Sequence, residues 1–213
     1  MTKRWPRGLY AVTPDEADTS QLIAKVRLAL AGGAVAVQYR NKSAGPTLRR
    51  AQAAALAEIC REAGAPLIVN DDVTLALEVG AAGVHLGRED GALAVARNRL
   101  GPGKLLGASC YDRIDLAVAA AGGGADYVAF GAMFASPTKA AARRAPLALL
   151  GEARQRTGLP VVAIGGITLD NAAGVVAAGA DALAVISALF AAQDIAARAQ
   201  AFQELFKRRS VTS

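Results

Sequence analysis

Short runs rich in apolar and β-branched residues alternate with longer alanine- and leucine-rich stretches along the whole chain. The short runs, at 8–13, 34–39, 66–70, 83–86, 104–108, 126–130, 160–164 and 181–186, have the length and character of buried strands. Between them the spacing of apolar positions predicts helices near 19–31, 47–63, 72–79, 90–99, 112–122, 147–156, 168–178 and 194–207. Such alternation implies parallel strands joined by right-handed crossovers. Eight strand–helix pairs in 213 residues predict an α/β fold, the single-domain (β/α)8 or TIM barrel, spanning 1–213 with a short frayed tail from about 207. An open doubly wound sheet is the rival. It needs a glycine-rich fingerprint after its first strand, and Thr13-Pro14-Asp15-Glu16 has none.

Glycine phrases recur at 31–34, 80–83, 123–126 and 178–181. Each falls where a helix should end in a left-handed cap before the next strand, so the repeats mark architecture and carry no chemistry. Composition narrows the classes further. With 53% hydrophobic and 20% charged residues, the chain is globular. Its net charge of +6 suits acidic ligands, but the basic residues form no stripe interleaved with aromatics, so nucleic acid is not an expected partner. Cys60 and Cys110 have no zinc-site spacing, and one histidine, His85, excludes a His-rich metal site. The N-terminus lacks the apolar run of a signal peptide. Gly179 and Asp181 interrupt the only segment apolar enough to suggest a membrane span. A cytoplasmic protein with small-molecule substrates and no membrane partner is therefore expected, and a homo-oligomer is compatible with the sequence.

In a barrel of this kind the chemistry comes from the C-terminal ends of the strands. After strand two, Gln38, Arg40 and Lys42 are spaced to share one face, and a guanidinium beside an ammonium suits a diphosphate; a solvated strand end is the plain alternative. After strand three comes Asn70-Asp71-Asp72, of which one residue should cap the next helix. After strand four comes Gly87-Arg88-Glu89-Asp90, again explicable as a cap. Carboxylates from these neighbouring ends could together hold one hard cation such as Mg²⁺. Ser109 follows strand five. The long segment 131–146 carries Ser136, Thr138, Lys139, Arg143 and Arg144 and reads as a basic lid, or else as a solvated loop. Gly165-Gly166 after strand seven and Ile186-Ser187 after strand eight occupy the usual phosphate cradle of the fold. His85 reads as a packed or hydrogen-bonded residue in preference to a catalytic base.

These phrases together resemble the thiamin phosphate synthase family over almost the whole chain. The similarity rests on Leu9-Tyr10-Ala11-Val12-Thr13, Gln38-Tyr39-Arg40-Asn41-Lys42, Asn70-Asp71-Asp72, Gly83-Val84-His85-Leu86-Gly87, Pro137-Thr138-Lys139 and Gly165-Gly166-Ile167-Thr168. It implies a transferase of thiamine biosynthesis that condenses a hydroxymethylpyrimidine diphosphate with a thiazole phosphate, releasing pyrophosphate dissociatively. By position it assigns Gln38, Arg40, Lys42 and Asn70 to the pyrimidine diphosphate, and Asp71 and Asp90 to Mg²⁺. Ser109 and Lys139 would meet the pyrophosphate, with Lys139, Arg40 and Ser109 as the catalytic set. Ser136 and Thr138 would bind the thiazole substrate, and Gly166, Ile186 and Ser187 its phosphate. Arg88 replaces a common glutamine, and Ala135-Ser136 replaces a usual proline–threonine pair. Two alternatives remain. A thiazole tautomerase of the same fold would carry a histidine where this chain has Tyr111, and a non-catalytic barrel binding thiamin phosphate would be expected to lose the carboxylates or Lys139.

Overall fold

Eight short parallel strands carry the molecule: β1 (Gly8–Val12), β2 (Ala36–Tyr39), β3 (Leu67–Asn70), β4 (Gly83–Leu86), β5 (Leu105–Tyr111), β6 (Tyr127–Phe130), β7 (Val161–Ile164) and β8 (Ala182–Val185). They pair in sequence order, and β1 also pairs with β8 through Gly8↔Ala182 to Ala11↔Val185, which closes the sheet into a barrel. The computed structural model describes residues 5–88, 90–135 and 144–207. Helices α1 (Thr19–Ala31), α2 (Pro46–Glu62), α3 (Val73–Glu78), α4 (Leu93–Leu100), α5 (Ile114–Gly122), α6 (Ala148–Thr157) and α7 (Leu169–Ala177) each follow the strand of the same number. After β8 come a single-turn helix, α8 (Ser187–Phe190), and then α9 (Ile195–Lys207). The expected architecture is therefore present, with two local differences. Strand β5 runs on to Tyr111, three residues beyond the sequence reading, and α8 is an additional element.

Local chemistry explains the element ends. Asp18 caps α1, its carboxylate accepting from the backbone N–H of Ser20 at 2.8 Å and of Gln21 at 3.1 Å. Pro46 opens α2, where its missing N–H has no intrahelical acceptor to lose. The glycine phrases do end helices, as Gly80 (φ 66°) and Gly179 (φ 117°) illustrate.

Alternation along each strand divides the core in two. Outward residues such as Leu9, Val37, Leu67, Val84 and Val128 pack under Leu22, Leu56, Leu150 and Phe202 of the helices. A fully buried leucine or valine of this layer contributes about 1.5–3 kcal/mol. Inward residues form a second cluster inside the barrel, where Tyr10 and Tyr127 fill the space left by Ala36, Ala129, Ala182 and Ala184. Trp5 closes the barrel floor, stacked on Tyr127 at 3.9 Å between ring centroids. At the closure, Gln203 of α9 accepts from the N–H of Leu9 at 2.9 Å. No helix among the described residues is long and apolar enough to cross a membrane.

Candidate active site

The period-two pleat turns Gln38 into the barrel and Tyr39 away from it. Gln38 is buried and donates to the Tyr10 hydroxyl at 2.8 Å. The intervening face is structural: the Tyr39 hydroxyl and the Asn41 amide both donate to Gln52 Oε1 of α2, at 2.9 and 3.0 Å. Beyond the strand, Thr13 is buried and exchanges two hydrogen bonds with the Arg40 backbone, both at 2.9 Å. Asp15 then accepts from Arg40 Nη1 at 3.3 Å and from the Lys42 backbone N–H at 3.0 Å. Asp15 therefore anchors the basic segment, a role the sequence reading did not assign. An acidic residue just after β1, the strand beside β2, was the signal available.

The three polar residues after β3 separate cleanly. Asp72 is the helix cap: it accepts from the Leu75 N–H at 2.9 Å and lies 3.5 Å from Arg49. Asn70 ends β3 opposite His85, and Asp71 adopts a left-handed backbone with φ 64°. A left-handed backbone costs some energy, which aspartate tolerates better than most residues. Beyond the neighbouring strand β4, Asp90 caps no helix, since α4 begins at Leu93 with Ala92 at its cap. Instead Asp90 Oδ2 accepts from the Gly87 N–H at 2.6 Å, which leaves its carboxylate against Asp71.

That pairing dominates the electrostatics. Burial, then the hydrogen bond and like charge of Asp90, push Asp71 up to about 6, while Lys42 and Arg40 act in the opposite direction. The two carboxylates, with cations beside them, offer the oxygen donors that a hard cation takes. Among the described residues no third acidic, histidine or cysteine side chain completes a protein-only metal cluster.

Ser109 lies within β5 and not after it, because the strand continues through a register shift between Ser109 and Tyr111. Its hydroxyl is 2.9 Å from His85 Nε2, and His85 Nδ1 is 3.0 Å from the Tyr127 hydroxyl. Both ring nitrogens are thus engaged. Burial pulls His85 down to about 4, against a smaller opposing pull from Asp90, so the ring is neutral at physiological pH. Tyr10 and Tyr127, which the sequence reading did not single out, form a continuous polar line through the barrel with Gln38 and His85. Their inward placement follows the strand alternation; their mutual contact depends on barrel closure.

On the far side of the mouth, Gly165 and Gly166 both have positive φ, 97° and 66°. A Cβ at Gly166 would meet the carbonyl oxygens of Ala135 and Phe134 at 2.6 and 2.7 Å, so this loop packs directly against the segment leaving β6. Asn171 fixes it, donating to the Gly166 carbonyl and accepting from the Thr168 N–H, both at 2.9 Å. Ile186 precedes α8 and Ser187 is its first residue. Ser136, Thr138, Lys139 and Arg143 lie outside the described residues; Arg144 is exposed where the chain resumes.

Comparison with known proteins places this mouth in context. A family model described as thiamine monophosphate synthase matches residues 9–189. The chain is 59% identical over 200 residues to the thiamine-phosphate synthase of Methylobacillus flagellatus, covering 94% of this chain and 95% of the relative. It is 56% identical to the enzyme of the same name from Thiobacillus denitrificans, covering 96% and 97%. Among solved structures, the thiamine phosphate pyrophosphorylase from Pyrococcus furiosus superposes with a TM-score of 0.83 at 36% identity, covering 94% of this chain and 96% of that one. Near-full-length identity at this level, on the same barrel, carries activity as well as fold: the chain is a transferase and belongs to the thiamine monophosphate synthase family.

Proposed function

We propose that the barrel mouth joins hydroxymethylpyrimidine diphosphate to thiazole phosphate, with Mg²⁺ held by Asp71 and Asp90. The observation that carries this reading is the contact between those two carboxylates beside Arg40 and Lys42. The bond between the pyrimidine methylene carbon and the diphosphate oxygen breaks, and its electron pair leaves with pyrophosphate. The thiazole nitrogen then donates its lone pair to the methylene carbon, forming the new C–N bond. Bound Mg²⁺ would offset negative charge on the diphosphate oxygens. Arg40 and Lys42 supply cations on the same side, where charge grows as the leaving group departs. Asn70 and Gln38 would orient the pyrimidine, and Ser109 and Lys139 would contact the pyrophosphate.

The thiazole substrate falls to Ser136 and Thr138, and its phosphate to the cradle of Gly166, Ile186 and Ser187. The fold favours this division, because the loops after strands seven and eight and a short extra helix commonly hold phosphate in these barrels. No step calls for a strong base. That agrees with a His85 whose nitrogens are both occupied. A tautomerase would need a proton-transfer residue at the position of Tyr111, whose hydroxyl here accepts from the Arg88 N–H at 3.4 Å.

Pyrophosphate release by purified protein tests the reading directly. The expected result is release that requires both substrates and Mg²⁺, with thiamin phosphate appearing in step. Folded protein that releases none, and instead isomerises the thiazole phosphate, would overturn it.

A further inference from the structure

Five inward-facing residues from five strands form one hydrogen-bonded line across the barrel. It runs from Gln38 Nε2 to the Tyr10 hydroxyl (2.8 Å), to the Tyr127 hydroxyl (3.1 Å), to His85 Nδ1 (3.0 Å), and from His85 Nε2 to Ser109 Oγ (2.9 Å). Its interior members are buried, so the chain's own groups must satisfy one another. The geometry reserves room for it: a Cβ on Gly107 would fall on the Tyr127 ring and 2.6 Å from His85 Nδ1.

The donor order follows from the first link. An amide nitrogen only donates, so the Tyr10 oxygen accepts; the phenol's own hydrogen is buried, and the Tyr127 oxygen is the acceptor beside it. Burial keeps both phenols protonated, so Tyr127 in turn donates to His85 Nδ1. A neutral imidazole that accepts at Nδ1 carries its hydrogen on Nε2, and that hydrogen goes to Ser109 Oγ.

We propose that this line is a polarity-setting relay, which locks His85 in the Nε2–H tautomer and makes Ser109 an obligate hydrogen-bond donor toward an anion in the barrel mouth. Tyr10 and Tyr127 are accordingly positioning residues. They act through His85 on a hydroxyl that, in the proposed function on which this inference rests, faces the departing pyrophosphate. With its acceptor side occupied by His85, the serine hydrogen is free only for an oxygen above it. A serine free to rotate would spend part of its time donating back into the protein.

His85 is the chain's single histidine, so ring-nitrogen NMR of isotope-labelled protein without ligand reads its tautomer unambiguously. The wild-type ring is expected to be protonated at Nε2 near neutral pH. In Tyr127→Phe, Nδ1 loses its donor, and the Nδ1–H tautomer becomes populated. Tyr10→Phe, which cuts the line one link earlier, is expected to give a smaller change in the same direction and serves if Tyr127→Phe does not fold. Titration with inorganic pyrophosphate and Mg²⁺ supplies the second readout. Ser109→Ala is expected to weaken binding about tenfold, Tyr127→Phe about threefold, and the double variant no more than Ser109→Ala alone. A wild-type ring protonated at Nδ1, or additive losses in the double variant, would overturn the relay. The expected tautomer in a protein that binds no pyrophosphate would support the lock and overturn the reading of the mouth.

Discussion

The two ends of the barrel use aspartate in opposite ways. At the floor, Asp126 begins the segment leading into β6; its Oδ2 accepts from the Leu106 N–H at 2.7 Å and from Arg97 at 2.5 Å. Asp181, one residue before β8, repeats the device, accepting from the Val161 N–H at 2.9 Å and pairing with Arg154 of α6. Each pegs the start of one strand to the strand before it and to a helix. At the mouth, Asp71 meets another carboxylate and sits on a left-handed backbone. Each floor aspartate is matched by a backbone N–H and an arginine, whereas the mouth sets one carboxylate against another. Site residues in this fold can thus be recognised by unfinished pairing as well as by position.

Substitutions at the two ends should therefore separate activity from stability. The largest effect is expected from Asp71→Asn, which should lower turnover by about 100-fold or more and weaken Mg²⁺ dependence, while the melting temperature holds or rises. Turnover assayed across a Mg²⁺ series decides it; wild-type activation would show that Asp71 is not a metal ligand.

Acid unfolding sharpens the contrast. The neutral His85 takes no proton in the native state until about pH 4, whereas the unfolded chain binds one near 6.5. Its contribution is full above pH 6.5 and is lost as pH falls toward 4, by up to about 3 kcal/mol. Asp71 works the other way: raised to about 6, it favours folding below its unfolded value and loses that contribution as pH rises through 6. Partly exposed, it offsets only part of the His85 effect. Urea midpoints between pH 7 and 4 should accordingly fall more steeply in Asp71→Asn than in the wild type. Parallel curves would break the argument.

The smallest effect concerns the floor. Asp126→Ala should cost about 2 kcal/mol of stability, because it strands the Leu106 N–H and removes the carboxylate partner of Arg97, which keeps its carbonyl acceptors Gly101, Lys104 and Gly124, yet leave turnover per folded molecule unchanged. A loss of turnover without loss of stability would erase the distinction between the two ends.

Much of this was legible in the residues. Strand and helix periodicities were strong enough to give all eight strand–helix pairs, because buried parallel strands and amphipathic helices leave different spacings. The four-residue α8 was not legible, since one helical turn has no period to detect. Nor was the extension of β5, where Ser109-Cys110-Tyr111 looks like a loop until its register with Ala129 and Phe130 is known. Asn70-Asp71-Asp72 announced both a cap and a site; only the φ of 64° at Asp71 and the contact of Asp72 with Leu75 divide the roles. Asp90 resembled a cap and is not one. The line through Tyr10 and Tyr127 joins positions 117 residues apart, so no local pattern could reveal it.

The pairing of β1 with β8 also sets when the molecule can first exist during its synthesis. Residues 8–12 wait for residues 182–185, so any sheet formed before β8 emerges is open, with two unpaired edges. Those edges are apolar on both faces and would template association between neighbouring chains on a polysome. Strand β8 ends this interval by covering both edges, and helix α9, emerging later, secures the closure when Gln203 accepts from the Leu9 N–H.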